Sequence, residues 1–334
     1  MKSLDILSVF RTMAPEGFQS SWDNSGVQVV GESLDCSKVG VCLEPTPEMI
    51  RACLDWGAGV ILTHHPLYMK PKGLGSESAF TEVVRMVMRS GAWLYAAHTS
   101  LDCAPDGPAF WLGERLGLES AGFLETAREF APVEVSFYSP RTVTRDEAEM
   151  WTERPGMHSV SQSAAGEVRL VCDRDHWAGA RSAVEFTLGM QPEYYVRALE
   201  APARSVGFGQ VGDLPQPLDW AAFMAELQGL VDRDVFTVCG DAPQTVARVA
   251  YCGGSGSSMA DAAARAGADV LITGDMKYHA AVETPVCIVD VGHFSLEEEM
   301  MRLAALDLAE RLGPEQVEVR FFKGTEPFRF HVRA

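Results

Sequence analysis

The sequence predicts an α/β protein built from two duplicated α/β halves, with a small α+β domain inserted between them. Three observations carry this expectation. Strand-like apolar runs alternate with helical patterns in both halves, short stretches of the first half recur in the second, and the texture changes over 128–215. The expected partition is 1–127 for the first half, 128–215 for the insertion and 216–334 for the second half. At 334 residues the chain is about twice the usual single-domain length, which leaves room for such an insertion.

Taken in order, MKSLDILSVFRTM places Asp5 and Arg11 among apolar positions at helical spacing and reads as a first helix rather than a signal peptide. VGVCLE at 39–44 is a buried strand. Thr46 caps a helix that Pro47 opens, Glu48 to Trp56 form it and Gly57 ends it. GVILTH at 59–64 is the next strand, a helix follows around 79–90, and Leu94 to Thr99 is a further strand. In the insertion, strands APVEVSFYSP, EVRLVCD, EYYVRALE and RSVGFGQVGDL alternate with helices around 144–152 and 176–188. The second half repeats the first: strand Arg248 to Cys252, a Gly/Ser turn, helix Ser258 to Ala266, strands Asp269 to Thr273 and Val286 to Val291, then a long helix from Leu296. The letters repeat too. GAGVILTHHP (57–66) matches GADVLITGDM (267–276), and HTSLD (98–102) matches HFSLE (293–297). Ligand sites favour the interface between two such halves.

Composition narrows the function. Hydrophobic content of 47% with 22% charged residues is that of a globular protein, and no apolar run approaches the roughly 20 residues of a spanning helix. A formal charge of -18 repels a phosphate backbone, which argues against nucleic acid as a partner, whereas bound metal would reverse the field locally for a small anionic substrate. Eight scattered cysteines without a CxxC pair suit reduced, buried thiols, and hence a cytoplasmic location.

The chemistry concentrates at strand ends. His64 and His65 close a buried strand before Pro66; adjacent strand residues point to opposite sides, so each ring suits a different ion of a pair. Solvated histidines at a strand end would read the same. Asp102 leaves the C-terminal end of the next core strand, where α/β folds place their sites, and can bridge two ions; an Asx turn is the bland alternative. His293 and Glu297 straddle the start of the long helix. Ser295 and Glu298 fit a capping box that would set His293 just outside the helix and Glu297 in its first turn; Glu297 to Glu299 could equally be a solvated acidic turn. Three imidazoles and two carboxylates suit two divalent ions such as Zn, Fe or Mn, ~3.5–4 Å apart, with Asp102 and Glu297 as bridges. His98 and His279 stand nearby as candidate proton carriers. Trp22, Asp23 and Asn24 read as a capped turn packing against the site, and the Gly/Ser loop 253–258 as a tight strand-to-helix turn.

SWDNSGVQVVG (21–31), VGVCLEPTPEMIRACLDWGAGVILTHHPLYMKP (39–71), AAHTSLDCAPDG (96–107), CGGSGSSMADAAARAGADVLITGDMKYH (252–279) and VGHFSLEE (291–298) resemble the Nif-three-like family of dinuclear-metal-centre proteins, also known as GTP cyclohydrolase type-two homologues. The resemblance implies His64, His65, Asp102, His293 and Glu297 as the metal ligands, a toroidal homohexamer, and an inserted domain similar to PII or CutA-like folds. Glu44 departs from the Asp usual in the family. The internal repeat makes His98 the counterpart of His293, while the family pattern resembles a histidine beside the metals rather than on them. The expected function is metal-dependent hydrolysis of a nucleotide or other phosphoester, similar to a GTP cyclohydrolase type two. The alternative is a non-catalytic metal-binding, storage or regulatory hexamer.

Overall fold

The first half folds as α1 (Ser3–Met13), β1 (Gly26–Val29), β2 (Lys38–Cys42), α2 (Pro47–Trp56), β3 (Val60–Thr63), α3 (Ala79–Ser90), β4 (Trp93–Ala96), α4 (Thr99–Asp102) and α5 (Trp111–Arg115). The computed structural model describes residues 1–331 except 106, 155 and 201–203. Helix α2 begins where its signals place it: Thr46 Oγ1 accepts the Met49 N–H, Pro47 opens the helix, and Gly57 closes it at φ 93°, a left-handed turn that suits glycine. The chain continues through β5 (Glu119–Phe130), β6 (Pro132–Tyr138), α6 (Arg145–Thr152), β7 (Met157–Gln162), β8 (Glu167–Asp173), α7 (Trp177–Leu188), β9 (Tyr195–Ala198), β10 (Arg204–Asp219) and α8 (Trp220–Leu230). The last stretch is β11 (Thr237–Cys239), β12 (Thr245–Tyr251), α9 (Ala260–Arg265), β13 (Val270–Thr273), α10 (Tyr278–Val282), β14 (Cys287–Asp290), α11 (His293–Leu312) and β15 (Glu318–Phe321).

The duplicated letters correspond to duplicated sheets. One sheet runs β1-β4-β3-β2-β15 and the other β11-β14-β13-β12-β10-β5. In each, three consecutive crossover strands are parallel, β2-β3-β4 and β12-β13-β14, and a short strand lies antiparallel on the outer one, β1 on β4 and β11 on β14. Because side chains alternate along a strand, each sheet has two apolar faces. Val60 and Leu62 of β3 and Val270 and Ile272 of β13 join one central core, together with Tyr95, Trp111, Tyr251 and the inner face of α11. Ile61 faces outward to Ile50 and Val83 of α2 and α3, and Leu271 outward to Ala260 and Ala263 beside α9. Two hydrogen bonds tie the halves, a buried one from Trp111 Nε1 to the Leu296 carbonyl (3.1 Å) and a partly buried one from the Tyr251 hydroxyl to the Ala109 carbonyl (2.8 Å). All six parallel strands therefore bring their C-terminal ends to the same interior region.

The chain divides into two compact units, one comprising Met1–Ala127 with the chain from Val206 onward, the other Arg128–Ser205. The second boundary falls before the expected residue 215. The reason is β10, whose Gln210–Asp213 stretch pairs with Arg248–Tyr251 and so belongs to the larger unit's sheet. The smaller unit is an antiparallel sheet β7-β8-β6-β9 with helices α6 and α7 around Val135, Phe137, Trp151, Leu170 and Val184. Its strand β7 escapes the pattern reading because MHSVSQ buries no residue fully. Among the described residues no helix is long and apolar enough to cross a membrane. All eight cysteines are free.

Candidate metal centre

At the C-terminal end of β3 the backbone leaves the ladder, and the N–H groups of His64 and His65 both reach the Leu43 carbonyl (3.2 and 3.1 Å). This corrects the expectation of opposite-facing neighbours: strand alternation stops at Thr63, and the two rings lie side by side with centroids 5.0 Å apart. They still separate at the next group. Nε2 of His64 is 3.6 Å from Glu297 Oε1, whereas Nε2 of His65 is 3.1 Å from Glu297 Oε2.

Helix α11 also begins earlier than the expected capping box would have it. Gly292 at φ 88° turns the chain directly into the helix at His293, and Ser295 Oγ donates back to the carbonyls of Val291 and Gly292 instead of capping. His293 and Glu297 are therefore four apart on one helical face, with Nε2 and Oε2 2.8 Å apart. Glu297 is buried at 5% exposure, which rules out a solvated acidic turn. Asp102, the last residue of α4, places Oδ1 3.7 Å from His64 Nε2.

The second nitrogen of every imbedded ring is engaged. His64 Nδ1 donates to the Ala97 carbonyl (2.8 Å), His65 Nδ1 to Glu44 (2.7 Å), His98 Nδ1 to Asp23 (2.7 Å) and His293 Nδ1 to Asp275 (2.7 Å). All four rings are thereby locked with Nε2 free to face the centre, the pattern metal-ligating histidines adopt. His64 Nε2 is buried with no hydrogen-bond partner among the described residues, and the Nε2 atoms of His65 and His293 face each other at 3.4 Å. Two sets of donors lie within 4.8 Å of one another: His64, His65 and His98, and His65, His293 and Glu297. An orphaned buried imidazole nitrogen among carboxylates fits a cation.

Electrostatics point the same way. Burial pulls the His65 ring down, but Glu297 and Glu44 outweigh it and push it up to about 10; for His293, Glu297 and Asp275 overcome burial and push it up to about 9. Burial raises Glu297, yet His64 and the other rings hold it well below the usual carboxylate range. Asp102 is raised, by burial first and by Glu297.

The sequence reading passed over two of the supporting carboxylates. Asp23, placed in a bland turn, has a fully buried side chain that also accepts from Ser25 Oγ, Thr99 N–H and Thr99 Oγ1. Asp275 was visible in the repeat, where it occupies the position of His65. His279 is a correction: it lies exposed on α10 against Tyr278 (ring centroids 5.4 Å apart) and makes no bond to the cluster among the described residues. The Gly/Ser loop has a definite task. Gly254 adopts φ 62°, and a Cβ there would come within 2.3 Å of Glu297 Oε1. Gly254→Ala should displace that carboxylate, lower metal content on elemental analysis, and cost about 1–3 kcal/mol of stability in denaturant melts.

A family model described as "Duf34/NIF3 (NGG1p interacting factor 3)" matches residues 1–327. A Staphylococcus epidermidis protein named "GTP cyclohydrolase 1 type 2 homolog" is 23% identical, with 93% of each chain covered. A Mycobacterium leprae protein of the same name is 28% identical over 92% of this chain and 90% of its own. Among solved structures, the Bacillus cereus protein "related to NIF3" is similar at a TM-score of 0.84 and 25% identity, covering 99% of both chains.

Proposed function

The chain belongs to the Duf34/NIF3 family, and from that membership together with the locked imidazoles we propose that it holds two divalent cations, Zn, Fe or Mn, and is a metal-dependent hydrolase of a nucleotide or other phosphoester. The carrying observation is the common direction of the rings around Glu297. His64 lies toward Oε1 and, with Asp102 beside it, would hold one ion; His65 and His293 lie toward Oε2 and would hold the other. Bound there, such ions acidify a water and polarise the oxygens of a phosphoester. The relatives' name supports a nucleotide as the substrate class.

His98 presents Nε2 to the same space, and Asp23 fixes its tautomer, so it can take up and return a proton at that atom. Asp23→Asn is expected to retain metal and lower kcat about 10–100-fold with KM little changed, as loss of an orienting carboxylate usually does. Steady-state kinetics and metal analysis on the same sample check this. The homohexamer belongs to the same proposal, and light scattering should return a hexameric mass.

The decisive assay presents the metal-loaded protein with nucleotide and phosphodiester panels. Turnover that His64→Ala abolishes supports the reading; turnover unchanged in His64→Ala sinks it. Exchangeable metal without turnover on any panel would favour the storage or regulatory alternative.

A further inference from the structure

A cavity of about 470 Å³ opens on the His65 and His293 side of the cluster. That volume suits a small organic molecule. Met49, Phe294 and Phe328 give it apolar walls, while its polar lining is acidic: Glu44, Glu48, Asp275 and Glu326. No Lys or Arg lines it among the described residues. Glu44 and Asp275 are engaged by His65 and His293. Glu48 is exposed in the first turn of α2, and Glu326 accepts the Phe328 N–H at Oε1 (3.0 Å) while its Oε2 lies 3.8 Å from Arg233, beyond hydrogen-bond distance, and keeps its acceptor positions for a ligand. The start of α2 also borders the cavity, but Thr46 already takes the Met49 N–H, so it offers little to an anion.

We propose that this cavity receives the organic body of the substrate, a flat aromatic or heteroaromatic group with a cationic or N–H-rich edge, and that it rejects a polyphosphate tail. The walls stack the ring, Glu48 and Glu326 accept from its donor edge, and the bond to be cut lies toward Glu297. Phosphate chains are held chiefly by Arg and Lys, and the lining supplies neither while presenting four carboxylates. Only the position of the reacting end rests on the proposed hydrolase; binding of the body requires neither metal nor turnover.

The test uses full-length, chelator-treated protein and three probes of one shape, benzamidine, benzamide and benzoate, titrated by calorimetry or ligand-observed NMR. Benzamidine should bind roughly tenfold tighter than benzamide, as expected for a charge-assisted hydrogen bond, and benzoate weakest. Glu48→Gln with Glu326→Gln should bring benzamidine to the benzamide level. Phe328→Ala, at a side chain 64% exposed and so safe for folding, should weaken all three probes by one factor. Benzoate binding as tightly as benzamidine, or benzamidine binding indifferent to both sets of substitutions, overturns the assignment while leaving the hydrolase reading intact. A catalytically silent protein that still ranks the probes in this order overturns the hydrolase and keeps the cavity.

Discussion

Glu297→Gln should strip the centre of both ions and destabilise the metal-free chain more than any other substitution at the site. Its two oxygens are the only groups that approach three of the rings, His64, His65 and His293, at 3.6, 3.1 and 2.8 Å among the described residues. Loss of an orienting partner alone costs about 10–100-fold in metal affinity, so loss of a shared ligand should exceed that range. In the metal-free chain Glu297 is the buried counter-charge to those rings, and removing one partner of a buried pair costs about 3–5 kcal/mol. Elemental analysis after dialysis and thermal unfolding measure the two effects. A variant that keeps two equivalents of metal would show that Glu297 is not shared.

The second large effect is on pH. His65 and His293 are pushed up to about 10 and about 9, above the ordinary imidazole value, so at neutral pH the metal-free rings carry protons that pair with Glu297, Glu44 and Asp275. For groups raised on folding, the stability they give is complete below the unfolded pKa near 6.5 and is lost as pH rises through about 9 to about 10. Cations need the neutral rings, so metal affinity should climb across the same window and each loading event should release about two protons near pH 7.5. Calorimetry in buffers of different ionisation enthalpy counts those protons. The metal-induced rise in Tm should likewise grow from pH 6 to pH 9. Affinity independent of pH would mean the rings are already neutral.

Much of this was readable before any coordinates. The HTSLD/HFSLE and GAGVILTHHP/GADVLITGDM matches announced a duplicated sheet, and the strand orders β1-β4-β3-β2 and β11-β14-β13-β12 are that duplication. The residues gathered around Glu297 drew attention because they sit on or shortly after the ends of continuous apolar strand runs. What escaped was what depends on partners distant in sequence. Asp23 looks like any turn residue until the fold brings it 2.7 Å from His98, and Gly254 like any loop glycine until Glu297 fills the space its missing Cβ leaves. The capping box at Ser295 misled for a local reason: Gly292 already bends the chain, so the helix starts three residues sooner and the serine turns back.

Strand β15 returns the end of the chain to its beginning, pairing Glu318–Phe321 with Lys38–Val41. Each half thus lacks something the other supplies, and ancestry by duplication does not leave two separable pieces. A nascent chain that has emerged only through α10 still exposes the flank of β2 as an unpaired edge, open to strands of neighbouring molecules. Synthesis of α11 and β15 closes that edge and delivers Glu297 in the same stretch of chain, so aggregation resistance and cation uptake arrive together.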